Sequence, residues 1–131
     1  MCWANYMAIP IALKKPLKVY KTGSSTVLNS FISSYQAFIY RKDKAQPIIE
    51  INPIFGRRFI PVSPLEDSWN LSIFYIFEGY HSYLTKEMAK LRRGKREEIG
   101  IFEIPEGATI YVDYKHREVV STNIKYLGLL E

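Results

Sequence analysis

Only one stretch of this chain, Thr85 to Gly94, is patterned as a helix; prolines, glycines and small polar residues cut the rest into short runs. That division constrains the fold more than any other feature. Thr85 is a natural N-cap, Glu87 stands in the first turn, and the last turn is basic, as the helix dipole favours. Leu84, Met88 and Leu91 predict one apolar stripe, and Gly94 is placed to close the helix. The helix is expected over about 85–93. Outside it, "LKVYKT" (17–22) alternates as a strand and "TGSSTVLNS" (22–30) reads as a loop or irregular strand. "YQAFIYRK" (35–42) is a further strand, with Phe38 and Tyr40 on one face. "AQPIIEI" and "RRFIPV", flanked by Pro47, Pro53, Pro61 and Pro64, are edge strands or extended loops, because proline cannot donate to a ladder. "SIFYIF" (72–77) is the most apolar run and the expected buried strand. "EIGIFEI" (98–104) and "ATIYVDY" (108–114) are expected to form a hairpin through Pro105-Glu106-Gly107. "EVVST" and "NIKYLGLL" complete the count at six to eight strands. The prediction is an α+β fold: a mostly antiparallel or mixed sheet of short strands with one helix. It is expected as a single domain over 1–131, with residues 1–16 an N-terminal arm or edge strand. No βα alternation points to a Rossmann-like sheet.

The charge is unevenly spread. The net charge is +5, yet residues 1–42 contain no acid, while Lys14, Lys15, Lys18, Lys21, Arg41 and Lys42 lie there. A second basic cluster is Lys86, Lys90, Arg92, Arg93, Lys95 and Arg96. Lys86, Lys90 and Arg93 share one helix face. If the fold joins the two clusters, they form a positive face that steers an anionic partner; the alternative is a solubilising surface.

Little else carries chemistry. The single cysteine, Cys2, excludes an intramolecular disulfide and clustered-cysteine zinc sites, and fits a reducing compartment. The start "MCWANYMAIPIALKKP" is apolar first and basic after, the reverse of a secretory signal, and too short to span a bilayer. A cytoplasmic location with no membrane association is expected. "KTGSS" (21–25) lacks the spacing of a phosphate-binding loop, and Glu66 and Asp67 read as solvated. His81 and His116 are the two histidines; His116 reads as exposed at a hairpin end. We read "GYHSY" (79–83) as a structural turn, with Gly79 giving a sharp bend and Tyr80 and Tyr83 packing to opposite sides. No metal site and no cofactor are expected.

In order along the chain stand Met1-Cys2, Lys18-Val19-Tyr20-Lys21, Ser34-Tyr35-Gln36, Gly79-Tyr80-His81-Ser82-Tyr83, Ile104-Pro105-Glu106-Gly107 with Tyr111, and Ser121 with Ile124. This ordered set resembles a group of small bacteriophage and mobile-element proteins, many from gut bacteria. The family's pattern has phenylalanine where Tyr80 stands and a proline between Ser34 and Tyr35. The resemblance implies a phage-type accessory protein, in the cytoplasm of the host cell, and implies no activity. A second, looser resemblance is to the ADP-ribosyltransferase fold. It implies an NAD- or nucleotide-binding enzyme with Tyr20, His81, Tyr83 and Glu118 as its residues, the glutamate polarising the ribose. The Ser-Thr-Ser strand and Glu-x-Glu turn of that fold are missing.

The reading preferred from the sequence is non-enzymatic. A basic face of Lys86, Lys90, Arg92, Arg93, Lys95, Arg96, Arg41 and Lys42 binds a host or phage protein or nucleoprotein, with blunting of a defence system as one such role. Further alternatives are a binder of single-stranded nucleic acid, with Tyr35, Phe38 and Tyr40 stacking on bases, and a structural virion component.

Overall fold

The structure, a computed structural model, describes residues 3–5, 9–26, 29–34, 38–60, 69–76, 78–114 and 116–130. The strands are β1 (Trp3–Asn5), β2 (Ile11–Ala12), β3 (Leu17–Thr26), β4 (Ser30–Ser33), β5 (Ile39–Arg41), β6 (Ile54–Ile60), β7 (Trp69–Ile76), β8 (Tyr80–Tyr83), β9 (Glu98–Ile104), β10 (Thr109–Asp113), β11 (Glu118–Ser121) and β12 (Lys125–Leu129). The helix α1 (Lys86–Arg92) has seven residues. Cys2, Tyr35, Glu66 and Asp67 lie outside the described residues.

The expected α+β class is therefore overturned: the fold is an antiparallel sheet structure with one short helix among its described residues. The reason lies in segments whose composition suggests loops. Thr22 to Thr26 continue β3, because Gly23 lets β4 cross very close: a Cβ there would lie 2.0 Å from the Ile32 carbonyl oxygen and 2.9 Å from the Phe31 ring.

β3 is shared between two parts of the sheet. One edge pairs with β9 over Leu17–Gly23. The other edge is divided: Tyr20 faces Tyr83 of β8, and then Gly23–Thr26 face β4. β4 pairs with β5, and the chain after β5 returns to β12, where Lys42 and Ala45 bridge to Tyr126 and Lys125. Asp43 N–H donates to the Tyr126 carbonyl (2.8 Å) and Gln46 N–H to that of Ile124 (3.1 Å). The path β3-β4-β5-β12-β9 thus closes into a small barrel, which removes its edges. From the other half of β3 an open sheet runs off in the order β8-β11-β10-β2. A separate antiparallel sheet has the order β1-β7-β6; Ile76, the last residue of β7, is buried with Ile51, Tyr111 and Val120.

Alternation fills the barrel. Val19, Phe31, Phe102, Ile104 and Ile124 are fully buried. Phe102 meets Tyr40 edge-on at 5.0 Å between centroids, Phe31 at 5.6 Å and Tyr126 at 5.1 Å. Such pairs contribute about 0.5–1.5 kcal/mol each beyond their area burial.

Four further expectations are corrected. β9 and β10 do not form a hairpin: β9 lies between β12 and β3, and β10 between β11 and β2. Pro105 to Ala108 is instead a corner, with Gly107 at φ 87° and its N–H on the Leu13 carbonyl. "GYHSY" is not a turn, because Tyr80–Tyr83 form the strand between β3 and β11. Gly79, at φ 105°, starts that strand; a Cβ there would sit 2.7 Å from Val120 Cγ1. In α1, Thr85 is the N-cap, its hydroxyl accepting from Met88 N–H at 3.2 Å. The predicted stripe fails at Leu91, which is 75% exposed, while Ala89 is fully buried. The inward face is centred between Met88 and Ala89, and a methyl group there lets the helix lie close on β3 and β8. Leu91 does not fall on that face, and Arg92, one turn beyond Met88, is exposed at the helix end. Gly94 is not left-handed; its N–H donates to Glu97 Oε1 at 2.6 Å, and that close approach is what its missing side chain allows.

Candidate functional site

The division of β3 leaves a gap in the sheet. Continuing the β3–β8 register would set Thr22 opposite His81, but β8 has parted from β3 there and the Thr22 carbonyl accepts from Ser34 N–H (3.0 Å). The opening is a cleft of about 260 Å³ lined by Lys21, Thr22, Ser33, Ser34, His81, Ser82, Tyr83, Arg92 and Glu97. Lys21 follows the inward alternation set by Val19, so its side chain lies within the barrel end and is only 7% exposed. Its Nζ donates to the His81 carbonyl, replacing the partner that a continuous sheet would supply. The same nitrogen lies 5.3 Å from the Tyr40 ring centroid and 5.8 Å from that of Phe102. Burial lowers the Lys21 ammonium from its ordinary 10.5 to about 7. No carboxylate pairs with it among the described residues. Ser82 Oγ, also buried, has no hydrogen-bond partner.

The fold brings the four residues of the enzyme reading onto one sheet face. Tyr20, Tyr83 and Glu118 lie directly opposite one another across β3, β8 and β11, and His81 is two residues from Tyr83. Glu118 is buried, and burial, helped by the nearby Asp113, pushes its carboxyl up; His116 and Arg92 act the other way. Burial and Glu118 push the Tyr83 phenol up. Asp113 holds His116 in an ion pair at 2.8 Å at the β10–β11 hairpin end, where His116 is exposed. Of the set, His81 and Tyr83 line the Lys21 cleft, and Tyr20 and Glu118 are not part of that lining. Among the described residues, no group of three or more His, Cys, Asp or Glu is placed to hold a metal ion.

The basic residues fall into two places. Lys86, Lys90, Arg92, Arg93, Lys95 and Arg96 are all exposed, and among the described residues none is within 4.0 Å of a carboxylate. Arg41 and Lys42 are exposed too, but Lys42 lies against β12, with β9 and β3 between it and β8. It shares a groove of about 570 Å³ with Lys18, Ser25, Asn29 and Tyr126, none of which lines the Lys21 cleft. A larger groove of about 630 Å³ between residues 48–51 and 105–111 has only the exposed Glu50 and Glu106 as charged groups.

Sequence reasoning missed Lys21 and Ser82 as members of one site. The signal was present for Lys21: in "KVYK" a lysine two residues after an inward valine points inward. Nothing local marks the parting of β8 from β3.

No protein-family model, curated protein or solved structure matches this chain. No helix among the described residues is long and apolar enough to cross a membrane.

Proposed function

We propose that this is a non-enzymatic, phage-type accessory protein, acting in the host cytoplasm, that docks an acidic surface of a host protein on residues 86–96. The observation that carries the reading is the set of six exposed cations in that segment, unpaired among the described residues, around an exposed Leu91. Unpaired surface cations add little stability, but a cluster accelerates encounter with a negative partner. Leu91 argues for protein over nucleic acid. An isolated leucine gives phosphates nothing, and the segment has no aromatic residue on which bases could stack. Against an acidic protein it supplies the apolar contact that a ring of charges surrounds. Arg41 and Lys42 belong to a different part of the surface and are left out of this face.

The test is capture from host lysate with and without nuclease, followed by binding kinetics on the captured protein. Lys90→Glu with Arg93→Glu should slow association at low salt by roughly tenfold or more, and Leu91→Asp should speed dissociation. Both variants should melt like the parent. Capture abolished by nuclease assigns the face to nucleic acid. Thermal stabilisation by NAD that disappears in Glu118→Gln assigns the protein to the enzyme class instead.

A further inference from the structure

We propose that the cleft between β3, β4 and β8 binds the phosphoryl head of a small phosphomonoester, with Lys21 and Arg92 as its cations. The site shares Arg92 with the docking face but does not rest on that reading. Lys21 is a buried cation with no carboxylate partner among the described residues, an arrangement that an arriving anion stabilises. One of its three N–H bonds is used on the His81 carbonyl, so two remain to donate. Arg92, exposed at the end of α1, also lines the cleft. Ser82 Oγ is the second independent sign: it lines the cleft, is 3% exposed, and lacks any hydrogen-bond partner. Thr22, Ser33 and Ser34 bring three more hydroxyls.

The lining selects the ligand. The hydroxyls outnumber the charges, which suits the three oxygens of a phosphoryl group better than the two of a carboxylate. The volume, about 260 Å³, is below the roughly 300–1,000 Å³ of pockets that enclose drug-sized molecules, so the cleft takes a head group and not a dinucleotide. Glu97 is the one opposing charge on the lining, and its Oε1 is turned to the Gly94 N–H.

Binding should also draw in protons. The groups around Lys21 are Tyr40 on β5, His81 and Tyr83 on β8, Arg92 on α1, and Glu97. Burial holds the Lys21 ammonium down to about 7, and a bound dianion favours its charged form.

Titration with inorganic phosphate, followed by calorimetry and by amide NMR, tests this. Expected are one saturable site and shifts at Lys21, Ser34 and Ser82. Ser82→Ala, which removes one unpartnered oxygen and leaves the fold intact, and Lys21→Met should each weaken binding at least about tenfold. Acetate should bind far more weakly. Shifts confined to residues 86–96, unchanged affinity in Ser82→Ala, acetate binding equal to phosphate, or no binding at millimolar phosphate would each overturn the proposal.

Discussion

Lys21 shows how one residue can set a pH response. Its folded-state value near 7 lies below the 10.5 of the unfolded chain, so between these limits the unfolded chain holds more protons. Stability must then rise with pH across that window, at up to about 1.4 kcal/mol per unit. Above about pH 10 the sign reverses. Burial raises the phenols of Tyr40, Tyr80, Tyr83 and Tyr126, so the folded state then keeps protons that the unfolded state loses. Urea titrations at pH 7, 8 and 9 should show the rise, and Lys21→Met should flatten it and be the more stable protein at pH 7. A parent protein with no slope would mean that the ammonium is solvated. Glu118 works in the opposite direction: its raised value makes it a stability cost once pH exceeds the ordinary carboxylate range.

At the scale of elements, α1 presents its charges to solvent while β8 is built into the sheet. α1 is held by its cap and by Ala89, and its charges face water. Thr85→Ala should therefore cost about 1 kcal/mol and Ala89→Leu about 1–3 kcal/mol by overpacking, whereas Leu91→Asp should stay within about 0.5 kcal/mol. β8 is supported on both sides, by β3 and β11, and its His81 is buried, with its carbonyl oxygen accepting from Lys21 Nζ. His81→Ala should lower stability by about 1–3 kcal/mol while the folded fraction still binds its partner. Denaturant melts paired with binding assays on the same samples check the whole set. Loss of partner binding in His81→Ala at unchanged stability would reverse the roles of strand and helix.

At the scale of the molecule, the barrel is held by its aromatic interior and sealed by the two bridges from Lys42 and Ala45 to β12. Phe102 is fully buried and touches Phe31, Tyr40 and Tyr126, so Phe102→Ala should cost about 3–5 kcal/mol. Lys42→Glu should cost little, because the seal uses the backbone of Lys42 and Asp43 and not their side chains. Two of the pairings that close the barrel join distant segments: Leu17 meets Ile104, and Lys42 meets Tyr126. Folding on a millisecond-to-second scale follows from such non-local contacts and is measurable by stopped-flow fluorescence of the tryptophans.

What the sequence determined by itself is local. The helix bounds and the Thr85 cap were legible because capping acts over three residues. The strands at 17–22 and 98–104 were legible because side chains on a half-buried strand must alternate. The two apolar runs around Gly107 were legible as strands but not as partners, since alternation is satisfied equally by any neighbour that buries the right face. Only the tertiary structure decided that β9 joins β3 and that Ala89, not Leu91, faces inward. It alone decided that β3 passes from β8 to β4 between Tyr20 and Gly23, leaving a buried lysine, a serine and an arginine around one opening. That site exists because two strands separated by about fifty residues compete for one edge of β3, and no local rule of propensity or spacing expresses such a competition.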